Sequence, residues 1–176
     1  FCLAAFLGNL YAAHLKDTIQ QIASLLYSGA AIGAVFAGDL ITLFIYWEAT
    51  AIASVFLIWA RGTEGAYYAG MRYLVIQIGS GLLLLCGVLF VFRETGSIEF
   101  NKMTLNSIGT LLIFLSFGVK CAFPLLHNWL QDSYPAATVT GTVILSAFTT
   151  KLAVYALARG FPGTEILIYI GAIMTL

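Results

Sequence analysis

Long apolar runs alternate with short polar breaks along the whole chain. The runs cover residues 1–12, 19–37, 40–60, 66–92, 107–130, 135–159 and 165–176. A transmembrane helix needs about 20 predominantly apolar residues, and the run 40–60 would be about 31 Å long as a helix. The pattern therefore predicts an all-α polytopic membrane helix bundle. The breaks between runs carry helix start and stop signals. Gly38-Asp39 makes a very short turn, Asp132-Ser133 offers an N-cap, and Pro135 then fits the first turn of the run 135–159. Gly29, Gly33 and Ala37 recur at four-residue spacing, a stripe that admits a neighbouring helix. Gly79 with Gly81 marks another close approach or a soft point. The runs 1–12 and 165–176 are too short to span and read as partial spans, so the chain is expected to be an internal piece of a longer polytopic protein.

The run 107–130 departs from the others. It carries Lys120, Pro124 and His127 where a lipid-facing helix would carry leucines. A lysine at the bilayer centre costs about 2.5–3.5 kcal/mol on insertion scales. A proline in a helix interior removes a hydrogen bond and clashes with the preceding turn. The run is expected to be a broken helix, interrupted at Pro124, with freed carbonyls that ordered water can satisfy.

Composition agrees with a membrane setting. Of the 176 residues, 61% are hydrophobic and 9% charged, and mean hydropathy is +0.96, whereas soluble domains carry about 25% charged residues. Zero net charge argues against nucleic acid as a partner. Cys2, Cys86 and Cys121 are scattered, and the two histidines share no ligand spacing with them. Neither a metal nor a cofactor is expected.

Three charges fall mid-run: Glu48, Lys120 and Lys151. Every arginine lies in a loop or near a run's end. Arginine does not deprotonate in proteins, whereas a buried lysine does exchange its proton. A glutamate on one helix and lysines on two others make a minimal proton relay. Protonating the glutamate would release a lysine from its ion pair. The plainer reading is a structural ion pair holding three helices together. His127 reads as a relay outlet or as an interfacial histidine beside Trp129. The row Thr138, Thr140, Thr142, Ser146, Thr149 and Thr150 reads as interhelical hydrogen bonding or as a water-bearing face leading to Lys151. Gln77 is ambiguous in the same way.

The run Val119-Lys120-Cys-Ala-Phe-Pro124-Leu-Leu-His127-Asn-Trp129-Leu130-Gln-Asp132 resembles the antiporter-like membrane subunits. So do Ala136–Thr142, Leu145–Arg159 and Gly38-Asp39-Leu-Ile-Thr-Leu-Phe-Ile-Tyr-Trp47-Glu48. That family includes Mrp-type sodium/proton antiporter subunits and the proton-pumping subunits of respiratory complex I and membrane-bound hydrogenases. The stretch Thr140–Lys151 most resembles the D-type subunits of Mrp antiporters. The resemblance implies an inverted-repeat fold of about fourteen helices, of which this chain supplies most of the first five-helix bundle. It implies that Glu48, Lys120 and Lys151 form the relay and that His127 stands just past the break. Pro124 falls four residues after Lys120 rather than five, and Gln131 and Tyr134 replace a proline and a histidine of the family pattern. The implied function is proton translocation within a multi-subunit monovalent cation (Na+)/proton antiporter of the bacterial plasma membrane. Its partners would be other membrane subunits, protons, sodium ions and the lipid bilayer. The alternatives are a proton-pumping subunit of an NADH-quinone oxidoreductase or hydrogenase complex, with any redox site on partner chains, and a purely structural subunit.

Overall fold

The computed structural model describes residues 1–175. These form eight helices: α1 Cys2–Ala12, α2 Thr18–Phe36, α3 Leu40–Trp59, α4 Glu64–Thr95, α5 Ile108–Cys121, α6 Asn128–Ser133, α7 Val139–Gly160 and α8 Ile166–Thr175. Four of them, α2, α3, α4 and α7, are long and apolar enough to cross a membrane.

Each long helix starts where a short polar side chain relieves the unpaired N–H groups of its first turn. Asp17 accepts from Ile19 N at 3.0 Å, Asp39 from Thr42 N at 2.8 Å, Thr63 from Ala66 N at 3.2 Å and Thr138 from Gly141 N at 3.0 Å. Ser107 and Thr110 form a reciprocal capping box at the start of α5. The donors on Thr42 also hold the Asp39 carboxyl below the ordinary carboxylate range. Gly96, at φ 71°, ends α4 in the left-handed conformation that glycine adopts without strain.

Two boundaries differ from the sequence expectation. The break includes Pro124 but opens ahead of it. Helix α5 ends at Cys121, with Ala122 left-handed at φ 62°, and the chain stays irregular through His127 before α6. A proline disfavours helical geometry at the residue before it, so the helix stops ahead of Phe123. Helix α7 is capped by Thr138, and Asp132 and Ser133 instead close α6. Pro135 follows the end of α6 as a stop signal rather than opening α7.

The long helices pack as a ring. α2 lies on α3, α3 on α4, α4 on α5, α5 on α7, and α7 closes back on α2. The interior holds two apolar clusters. One gathers Trp47, Leu84, Phe117, Leu152 and Phe161; the other gathers Tyr27, Leu57, Tyr73, Trp129 and Phe148. Between them on α3, α4 and α7 lie buried polar residues: Thr50, Gln77 with Ser80, and Thr149. Outward positions carry large apolar side chains such as Ile19, Leu25, Phe36 and Val75, the arrangement expected when hydrocarbon rather than water surrounds the bundle. The loop between α4 and α5 seals one end. Phe100 is fully buried, and Arg159 at the end of α7 donates to Ala37 O at 2.7 Å while its guanidinium lies 4.5 Å over the Phe100 ring.

Of the small-residue stripe on α2, Gly33 admits the Tyr46 ring, with Cε1 only 2.5 Å from where a β-carbon would stand. Gly29 meets no neighbour.

Candidate functional site

Lys120 sits in the last turn of α5, 1% exposed. Among the described residues, no carboxylate hydrogen-bonds its ammonium. Nζ donates to Trp47 O at 2.8 Å and to Thr50 Oγ1 at 2.9 Å, and lies 4.3 Å over the Trp47 ring. A helix C-terminus favours a cation through its dipole, and the Trp47 face adds a cation–π attraction. The broken helix leaves its last carbonyls in good order. Phe123 N reaches Gly118 O at 3.0 Å, and the Trp129 indole donates to Val119 O at 3.0 Å.

Trp47 is fixed in turn. Its indole donates to Ser80 Oγ at 3.1 Å. Ser80 donates to Ser116 O at 2.9 Å, and Ser116 donates to Ser80 O at 2.7 Å. This chain of hydroxyls locks α3, α4 and α5 at one level. Because Thr50 also donates to Trp47 O at 2.7 Å, the lysine's two acceptors are positioned before it arrives.

Glu48 is half-buried on α3, and its Oε1 points at α4. A β-carbon at Gly81 would collide with that oxygen. Gly81 is therefore the close approach expected from the sequence, whereas Gly79 meets nothing within 4 Å. Glu48 Oε1 is buried without a hydrogen-bond partner. The expected ion pair with Lys120 is not formed. Among the described residues the ion pair present is Arg72–Asp132 at 3.5 Å, with both side chains largely exposed.

Lys151 is placed differently. It is exposed on the outer side of α7, away from the buried Thr149. It lines a groove of ≈ 680 Å³ together with Pro124, His127, Thr150 and Met174. The structure thus brings Glu48 and Lys120 to the interior of the ring and puts Lys151 with His127 on a separate groove beside the break. The hydroxyl row on α7 divides accordingly. Thr140 accepts from Gln20 Nε2 at 2.6 Å, Thr142 donates to Tyr134 O at 2.8 Å, and Thr149 pairs with Tyr27; Thr150 alone of the row lines the groove with Lys151. Tyr134 donates to Leu145 O at 3.1 Å and packs edge-on against Trp129.

Sequence reasoning missed the lysine's acceptors. A backbone carbonyl leaves no signature in a sequence. Thr50, two residues after Glu48 and three after Trp47 on the same helical face, did leave one.

A family profile described as NADH:quinone oxidoreductase/Mrp antiporter, transmembrane, matches residues 37–175. The D-type subunit of the Na(+)/H(+) antiporter of Bacillus subtilis is 31% identical over 140 residues, which are 73% of this chain and 28% of that protein. The M-type subunit of the NADH-quinone oxidoreductase of Pseudomonas aeruginosa is 33% identical over 150 residues, 74% of this chain and 30% of that protein. The chain thus spans about a third of the length of these relatives. A chain of respiratory complex I from Thermus thermophilus shares the fold, with a TM-score of 0.81 at 20% identity, covering 97% of this chain and 41% of that one. With its apolar spans and broken helix, the chain is an antiporter-like integral membrane subunit and belongs to the NADH:quinone oxidoreductase/Mrp antiporter family.

Proposed function

We propose that the chain carries part of the proton path of a multi-subunit monovalent cation (Na+)/proton antiporter in a bacterial plasma membrane, with Glu48 and Lys120 exchanging protons inside the bundle. The observation that carries this reading is the way Lys120 is held. A buried lysine gripped by a carboxylate would lose that attraction on giving up its proton. Here both acceptors are neutral, and an amine that has released one proton still has two N–H donors for them. The contacts at Trp47 O and Thr50 Oγ1 therefore serve both protonation states. Lys151 and His127, facing one groove beside the break, are the onward groups, and charge passing to them leaves the ring on its outer side.

Substituting Lys120 by alanine is expected to abolish cation/proton exchange in membrane vesicles while the subunit still inserts and co-purifies with its complex. Undiminished exchange by that variant rules the relay out. A redox-driven pump is the second reading, favoured by the 33% identity to the M-type oxidoreductase subunit. The subunits that co-purify with the full-length protein separate the two.

A further inference from the structure

Gln77, on α4, is fully buried, and neither its Oε1 nor its Nε2 has a hydrogen-bond partner. Its position follows from two helix seams. Along α3, Trp47 meets Ser80, Glu48 meets Gly81 and Ser54 meets Tyr73. Gln77 therefore stands level with Thr50 and Ala51. Along α5, Ser80 meets Ser116 and Gly87 meets Gly109, which sets Gln77 level with Val119 and Lys120. Thr50 and Lys120 are themselves bonded. Both seams put the carboxamide at the height of the lysine's ammonium. Gly81, against which Glu48 Oε1 rests, lies four residues on from Gln77 and hence on the same face of α4. Two unpartnered buried polar side chains, a carboxamide and a carboxylate, thus share one stretch of the α3–α4 seam.

A buried polar group left unpaired is costly, and buried water with two to four polar partners is the usual remedy. A carboxamide also suits a neighbour whose charge changes. Its N–H groups donate to a carboxylate, and its oxygen accepts from the protonated acid or from water. We propose that Gln77 is a positioning residue of the relay: with the Glu48 carboxyl it holds water on the α3–α4 seam, and that water connects Glu48 to Lys120. This rests on the relay role of Glu48 and Lys120. The interhelical hydrogen bond that would otherwise account for a buried glutamine on α4 is not made.

The test uses the full-length subunit in its complex, in membrane vesicles, with Gln77→Met. Methionine keeps the length and volume of the side chain and removes both polar atoms. Removing the carboxamide leaves the water and the Glu48 carboxyl one partner short, so a small fall in the thermal transition is expected, with insertion intact. Exchange is expected to fall about tenfold or more. In infrared difference spectra the protonated-carboxyl band of Glu48, identified by its loss in Glu48→Gln, should move to higher wavenumber as its hydrogen bonding weakens. Exchange and band position both unchanged would overturn the assignment. Should the methionine variant fail to insert, Gln77→Asn keeps the amide but withdraws it by one methylene. A reduced rate with a shifted band then supports the proposal, and wild-type values of both overturn it. The two layers separate cleanly. If Glu48→Gln stops exchange while Gln77→Met changes neither rate nor band, only the role of Gln77 falls. If Glu48→Gln exchanges at the wild-type rate, the relay falls and this inference with it.

Discussion

A β-carbon at Gly81 would collide with Glu48 Oε1 and stand 2.5 Å from its carboxyl carbon. The position of the carboxylate is thus set by a residue that offers no atom to hold it. Gly81→Ala is expected to push the carboxylate off the α3–α4 seam. Misplacement of a reacting group by about 1 Å costs on the order of 10²-fold in rate, and exchange in vesicles should drop by that order. Gly79→Ala is the matched control, since a β-carbon there meets nothing within 4 Å. Equal rates for the two variants would show that the Glu48 contact is irrelevant to transport. Single residues of this kind were partly legible in the sequence. Glu48 and Lys120 stood out because charges interrupt apolar runs, and Gly79 with Gly81 stood out as a close approach or a soft point, without saying which of the two. That Lys120 would bind Trp47 O and Thr50 rather than Glu48 was not legible. The choice depends on the register of α3 against α5, which is set by Ser80 and Ser116 on facing helices.

The broken helix stores backbone strain at two positions. Ala122 and Leu125 both have positive φ, 62° and 70°, and the left-handed conformation costs a residue with a side chain about 1–2 kcal/mol. Ala122→Gly relieves that strain but loses a buried methyl and gains freedom in the unfolded chain, so the detergent-solubilised protein should melt close to the parent. Ala122→Val, with a branched side chain, should lower its thermal transition. A valine variant melting at or above the parent would contradict the left-handed end of α5. The strain accompanies function in a specific way, because ending α5 at Cys121 leaves Lys120 in the terminal turn, where the helix dipole favours a cation. The sequence announced a break through Pro124, but not its place. The proline acts on the residue before it, and Trp129 supplies the donor for the Val119 carbonyl from across the loop. The helix starts were more legible, since Asp39, Ser107 and their like cap within three residues of themselves. Thr138 does not stand out as a cap because Asp132, Ser133 and Pro135 form an equally good local signal, which the chain uses to end α6.

The closed ring of α2, α3, α4, α5 and α7 gives the protein an inside that holds Glu48 and Lys120 and an outside that holds Lys151. This division bears on the proposed relay. Charges that served only to pin helices together would be bonded directly to acids within the ring. Instead Lys120 takes neutral acceptors, and Lys151 faces the groove shared with His127 and Thr150. Lys151→Leu should therefore leave the ring intact, because leucine is compatible with the apolar outer surface of α7, where Val139 and Val154 are already exposed. Insertion and thermal transition should match the parent, while exchange should fall to background if the proposed relay runs onward through Lys151. Loss of the assembled complex would instead make Lys151 a docking contact for another part of the protein. Co-purification and vesicle exchange, measured on one preparation, distinguish a subunit that assembles but does not transport from one that does not assemble.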